Sequence, residues 1–175
     1  MPIIRPSTDS DIPTIARIYA HHVLHGTGTF ETDAPSEQDM AQRRADVLAK
    51  GLPYLVLEDG DSVQGFAYCN WFKPRPAYRF SAEDSIYLAP DVAGRGWGRL
   101  LLTELMAQAE RAGVRKLIAV IGDSGNQGSI GVHRCCGFQP IGVMTNSGWK
   151  FGRWLDVVLM DRPLGWGADR PPLEN

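Results

Sequence analysis

The stretch that decides the fold is Pro90–Leu101, PDVAGRGWGRLL. Gly94, Gly96 and Gly98 fall at alternate positions ahead of an apolar run of helical spacing, with Arg95 and Arg99 beside them. Glycine leaves main-chain N–H groups open to a ligand, and the unpaired N–H groups of a helix N-terminus favour negative charge. The stretch therefore reads as a phosphate or pyrophosphate site at the mouth of a helix. Its G-x-G-x-G spacing is neither the G-x-G-x-x-G of a dinucleotide fold nor a P-loop, which ends in Gly-Lys-Ser/Thr. Glycines that merely shape a tight turn and let the helix pack closely are the competing reading, so context decides.

Working outward, DSIYLAP (Asp84–Pro90) reads as a strand that stops at its proline, and GRLLLTELMAQAERAG (Gly98–Gly113) as an amphipathic helix closed by Gly113. Upstream, PIIR is a short strand, and TDSDIPTIARIYAHHVL (Thr8–Leu24) a helix with Ile12, Ile15, Ile18 and Tyr19 on one face. A Gly/Thr-rich loop follows, and then a second helix, Ser36–Gly51, opened by a capping-box pair, Ser36 and Asp39. YLVLED and VQGFAYCNWF flank the turn GDS as a hairpin. Downstream come a buried strand KLIAVI, a short helix in NQGSIGVHRCCG, and a final strand pair, QPIGVMTN and RWLDVVLMDRP. The order is βα, α, β, β, β, α, β, α, β, β. The remainder, residues 164–175, lacks an apolar period and is expected to be a flexible tail after a single domain of residues 1–163.

A chain of 175 residues with 43% hydrophobic content suits one domain with a real core. Eighteen Lys and Arg against twenty Asp and Glu leave a formal charge of −2, so no overall basic field holds nucleic acid or an anionic membrane. Cys69, Cys135 and Cys136 form neither a disulfide framework nor a zinc knuckle, which fits a reducing cytoplasm. The N-terminus carries no basic-plus-apolar leader, and no apolar run is long enough for a membrane helix.

At the glycine loop the sequence resembles the Gcn5-related N-acetyltransferase superfamily, whose acetyl-CoA loop reads Gln/Arg-x-x-Gly-x-Gly/Ala between the fourth strand and the third helix. Here the window is AGRGWG, Ala93–Gly98, with Ala93 in place of Gln or Arg. The element order from Ile3 to about Pro163 is similar to that superfamily. The resemblance implies an α/β fold with a mixed, mainly antiparallel sheet splayed between strands four and five and flanked by about four helices. It also implies acetyl-CoA as co-substrate and no metal. The pyrophosphate would rest on backbone N–H groups of Ala93, Gly94, Arg95, Gly96, Trp97 and Gly98, with Arg95 and Arg99 as nearby cations. Tyr87, Leu88, Asn126 and Ser129 would meet the rest of the cofactor, although Asn126 also suits an ordinary helix N-cap.

A closer resemblance, to the phosphinothricin-type branch that includes enzymes acting on methionine sulfoximine and methionine sulfone, is carried by Phe66–Pro90, Ser129–Phe138 and Gly148–Met160. The Phe30-Glu31 loop fits the same pattern. Acetyl transfer to an amine needs a neutral nucleophile, a polarised carbonyl and a thiolate that can leave. By this resemblance Glu83 is the general base and a main-chain N–H near Leu88 polarises the carbonyl. His133 occupies the position of the tyrosine that protonates the thiolate in many relatives. Asp84 competes with Glu83, and adjacent strand residues point to opposite faces.

Just before Glu83, WFKPRPAYRF crowds Lys73, Arg75 and Arg79 with aromatic side chains, which suits an amino acid carboxylate. Arg75 is the expected clamp, Phe30, Tyr78 and Trp154 the pocket walls, and Glu31, Lys73 and Ser85 further substrate contacts. Of His21, His22 and His25, the pair His22 and His25 share a helical face but lack a third and fourth metal ligand, so a role in shaping the pocket is expected, and Cys135 and Cys136 lack a partner base for ping-pong transfer. The expected function is direct N-acetylation of a small amino acid analogue in the cytoplasm, by a homodimer paired through its C-terminal strands. Another amine, such as a protein N-terminus or polyamine, and a non-catalytic acyl-CoA sensor are the alternatives.

Overall fold

The computed structural model describes residues 2–172. Its sheet contains β1 (Ile3–Pro6), β2 (Tyr54–Asp59), β3 (Ser62–Trp71), β4 (Ser81–Leu88), β5 (Lys116–Gly122), β6 (Gln139–Lys150) and β7 (Arg153–Pro163). The helices are α1 (Ile12–His25), α2 (Glu37–Ala49), α3 (Trp97–Arg111) and α4 (Gln127–Cys135). Among the described residues no helix is long and apolar enough to cross a membrane.

Local chemistry sets the helix starts. Ser36 accepts from the Asp39 N–H while the Asp39 carboxylate accepts from the Ser36 N–H, the reciprocal cap expected from the sequence. Before α1, Asp11 closes a similar box with Thr8 and takes two hydrogen bonds from Arg5 of β1. Those Arg5 bonds outweigh burial and push the Asp11 carboxyl down to about 2.

The strands run in the order β1-β2-β3-β4-β5-β7-β6, and every pairing is antiparallel except β4 with β5. The two faces of β4 are covered by different helices: the Tyr87 ring meets Tyr19 of α1, whereas Asp84 meets His133 of α4. Residues Tyr54–Leu57 of β2 are buried one after another because the sheet is covered on both sides. Leu101, Leu102, Leu105 and Ala109 place the apolar stripe of α3 in the core against β2, β3 and β4.

The one parallel contact is short. β4 pairs with β5 only from Ser81–Asp84 to Lys116–Ala119. Past Asp84, β4 stays with β3 as far as Leu88, while β5 stays with β7 as far as Gly122. The sheet opens there into the V-shaped splay expected between the fourth and fifth strands.

Two boundaries differ from expectation. β4 begins at Ser81, three residues before the apolar run that marks it in the sequence, so Glu83 lies inside the strand where pairing to β5 stops. β6 continues past Asn146 to Lys150, through irregular register at Pro140/Gly142 and Met144/Gly148, with Asn146 at positive φ. A sequence pattern reads such a bulge as a turn. Of the expected tail, Leu164 is buried with its N–H on the Arg115 carbonyl, and Arg115 also reaches the carbonyls of Gly167 and Arg170. Residues 173–175 lie outside the described residues.

Leu105→Ala is expected to lower unfolding free energy by about 2–5 kcal/mol through lost transfer energy and the cavity left behind. The check is a drop in the urea midpoint at unchanged slope.

Candidate active site

A cavity of about 660 Å³ fills the splay. Its walls come from β4, β5, the loop after α1, the first turn of α3, and α4. Because the opening passes between strands, successive residues of β4 reach it from both faces of the sheet.

On the α1 face, Glu83, Ser85 and Tyr87 follow one another along β4, joined by Tyr19, Tyr68 and Phe30. Burial, together with the charge of neighbouring Asp84, holds the Glu83 carboxyl above the usual carboxylate range, and Lys73 pulls the other way. Such a carboxylate is a better proton acceptor near neutral pH than an exposed one. Tyr68 is the cross-strand neighbour of Ser85, and Tyr19 lies edge-on to Tyr87 at 4.9 Å. His22 of α1 donates from Nε2 to the Leu88 carbonyl at 2.8 Å, since a carbonyl can only accept. Burial pushes the His22 imidazole down and keeps it neutral, against the opposing pull of that bond. Ala89 gives its N–H to Gln64 of β3, so Leu88, one residue back, turns its own N–H toward the open side of the strand.

On the other face, His133 and Asp84 form a buried pair. His133 Nε2 donates to Asp84 Oδ2 at 2.8 Å, and Nδ1 to the Ser129 carbonyl at 2.7 Å. Both partners accept, so both ring nitrogens carry hydrogen and the ring is an imidazolium. Burial opposes that charge, yet the hydrogen bond and charge of Asp84 outweigh it and raise the His133 pKa. Asp84 Oδ1 is buried without a partner.

Beyond the diverging end of β4, Gly94 and Gly96 both have positive φ, and Gly96 is the residue before α3. Each keeps a conformation that side chains disfavour, which turns the N–H groups of the first α3 turn outward. Gly98 lines the cavity and sits so near α4 that a Cβ would lie 3.2 Å from Val132. Trp97 is buried in the core, and the Arg95 guanidinium lies 5.0 Å above its ring. Arg95 and Arg99 line a separate groove with Pro2, Ile4 and Thr103. Asn126 caps α4 through the Ser129 N–H and also lines the cavity beside Ser129.

The cavity thus gathers Phe30, Glu83, Ser85, Tyr87, Leu88, Gly98, Asn126, Ser129 and His133 from the residues singled out in the sequence. Ala93 lies next to it in the loop but outside its lining. Glu31 is held by Arg43 at 2.6 and 3.1 Å and by the Tyr19 hydroxyl at 2.8 Å. Lys73, Arg75 and Tyr78 occupy the exposed loop between β3 and β4, and Trp154 stands exposed against Trp149. Sequence reasoning missed Tyr68 as part of the cavity wall. It also left the Asp84 partner unrecognised, although Asp84 shares parity with Ala82, Ile86 and Leu88 and so belongs to a buried face.

The Acetyltransferase (GNAT) family pattern matches residues 17–138. The chain is 51% identical over 169 residues to a phosphinothricin N-acetyltransferase of Alcaligenes faecalis, covering 97% of this chain and 86% of that one. It is 37% identical over 165 residues to an L-methionine sulfoximine/L-methionine sulfone acetyltransferase of Pseudomonas paraeruginosa, covering 92% and 94%. A crystal structure of a GNAT superfamily phosphinothricin acetyltransferase from Sinorhizobium meliloti, in complex with AcCoA, superposes with a TM-score of 0.96 at 42% identity, covering 99% of this chain and 94% of that one.

The buried pair makes stability depend on pH. The folded chain keeps a proton on His133 that the unfolded chain releases above the ordinary histidine value near 6.5. The stabilisation is therefore complete below that value and fades as pH rises through the raised, folded-state value. Urea unfolding from pH 6 to 9 is expected to show this decline, and His133→Gln to remove it. Asp84→Asn strands a buried imidazolium and is expected to cost about 3–5 kcal/mol near pH 6.

Proposed function

Because the chain belongs to the Acetyltransferase (GNAT) family, we propose that it transfers the acetyl group of acetyl-CoA to the α-amino group of a small amino acid analogue. The substrate class is the phosphinothricin, methionine sulfoximine and methionine sulfone type, and transfer is direct, within a ternary complex. One observation carries the reading: a proton acceptor, Glu83, and a proton donor, the His133 imidazolium, enter one cavity from opposite faces of the same splayed strand.

The residues present fit acetyl-CoA. Bare N–H groups at the start of α3 suit a pyrophosphate, and the open edge of β4 suits the pantetheine arm, whose amides can replace the missing neighbour strand. The thioester end then lies between Glu83 and His133. Glu83 takes a proton from the substrate ammonium, directly or through water. The freed lone pair attacks the thioester carbon, and the oxygen gains charge facing the Leu88 N–H. His22, bonded to the carbonyl of the same residue, steadies that peptide. As the C–S bond breaks, the electron pair leaves on sulfur, which takes the Nε2 proton of His133 in place of Asp84, and the newly bonded nitrogen gives its second proton to water, leaving the neutral amide and thiol. Lys73, whose charge reaches Glu83, and Arg75 on the same exposed loop supply positive charge for the substrate carboxylate, and Phe30 walls its side chain.

The working form is a homodimer. β6 is the outermost strand of the sheet, and Ile141, Val143, Met144, Trp149 and Trp154 stand exposed along it and its hairpin partner. An edge strand so apolar is normally covered. Cys69, Cys135 and Cys136 are all free thiols, in keeping with a reducing cytoplasm.

Thiol release from acetyl-CoA is expected with methionine sulfoximine, methionine sulfone or phosphinothricin, and not with polyamines or peptides. Glu83→Gln is expected to lower kcat by about 10²–10⁴-fold. Turnover on polyamines or peptides alone would redirect the substrate assignment, and CoA binding with no turnover on any amine would leave only a sensor. In sedimentation analysis the protein is expected at twice its chain mass, and Val143→Lys at the mass of one chain.

A further inference from the structure

Lys150 ends β6 with only 4% of its surface exposed, on the side of the cavity where the amine would enter. Its ammonium donates to the carbonyls of Gly26 at 2.8 Å and Thr29 at 2.7 Å, and lies 5.0 Å from the Phe151 ring centre. Gly26 is the capping residue of α1, so one acceptor is a carbonyl that the helix end leaves without an internal partner. A buried ammonium held by backbone carbonyls costs desolvation, which lowers the Lys150 pKa, with Glu31 giving partial return. Packing alone would favour an apolar residue there.

The loop that Lys150 holds carries Phe30. Beneath the Phe30 ring lie Gly122 of β5 and Gly148 of β6, and a Cβ on either would run into that ring. A Cβ on Gly122 would also strike the Thr27 carbonyl. Neither glycine is at positive φ, so close approach is what their lack of a side chain permits. Two bare strand positions make a floor, an aromatic ring lies on it, and a buried ammonium clamps the loop on both sides of Thr27 and Gly28. Gly26, Thr27, Gly28, Thr29 and Phe30 all face the cavity.

We propose that Lys150 is a positioning residue for substrate selection: by tying the loop after α1 to the β6–β7 hairpin, it fixes the Phe30 ring on the Gly122–Gly148 floor and sets the width of the amine end of the cavity. This rests on the acetyltransferase reading above for its kinetic consequence, and on the geometry alone for its structural one.

Lys150→Met keeps the stem and removes the ammonium. It is expected to raise the amine KM about tenfold and to weaken discrimination among amino acid side chains, while the acetyl-CoA KM stays within about twofold. Gly148→Ala, which displaces Phe30 from the other side, is expected to give the same signature should Lys150→Met fail to fold. In a Phe30→Ala background both effects are expected to vanish, because both act through that ring. Amide hydrogen exchange over residues 26–31 is expected to speed up in Lys150→Met whether or not an amine is turned over. Unchanged amine KM, an equal rise in the acetyl-CoA KM, effects that persist without Phe30, or unchanged exchange would each overturn the proposal. A wild-type protein that acetylates no amine, yet shows the faster loop exchange in the variant, would overturn the functional reading and leave the clamp standing.

Discussion

Everything in this protein is arranged around a parallel strand contact that stops early. β4 and β5 share hydrogen bonds only as far as Asp84 and Ala119, and then each keeps its other neighbour. Backbone groups on the diverging edges lose their partners, a state that folded chains avoid unless something else satisfies them. Here His22 takes the Leu88 carbonyl, and a bound thioester arm would take what remains. The helices follow from the same geometry, since α3 and α4 must approach the V from one face and α1 from the other.

The opening also separates two charge environments by one strand's thickness. Toward α1 the Glu83 carboxylate stands among aromatic rings and hydroxyls, with Lys73 as the nearby cation that pulls its proton affinity down. Toward α4 a carboxylate is matched by an imidazolium whose second N–H is fixed on a backbone carbonyl. A low-dielectric cavity strengthens both effects, so burial raises the proton affinity of Glu83 while pairing keeps the proton of His133. Two titratable groups with opposite surroundings follow from environment more than from residue type.

Much of this was legible in the sequence because the informative signals were local. The glycines of Pro90–Leu101, the capping box at Ser36 and the periodicity of α3 act within a few residues and read directly. The splay itself entered through family resemblance, since no periodicity announces where two strands part. The site was legible in halves. Glu83 and His133 carry titratable side chains that draw the eye, whereas the Asp84–His133 bond joins residues 49 positions apart, a separation no spacing rule covers. Lys150 was invisible for a different reason: a lysine between aromatic residues reads as a solvated charge, and only the carbonyls of a loop more than 120 positions away make it a buried one. Arg75 and Trp154 drew attention by composition, and the folded chain leaves both on its surface.

Glu83 and Asp84 are consecutive residues, and what separates their duties is the two-residue period of β4. That makes the strand intolerant of length change in a way its flanks are not. The loop from Phe72 to Phe80 lies outside the ladder and can gain or lose a residue with its ends still paired. A one-residue slip of β4 against its neighbours would turn Glu83 toward α4 and bring Asp84 among the tyrosines, and His133 would face whichever residue took the vacated place. A residue added or removed within the eight residues Ser81–Leu88 would therefore change which side chain faces each helix, whereas one added before Ser81 would leave that order intact.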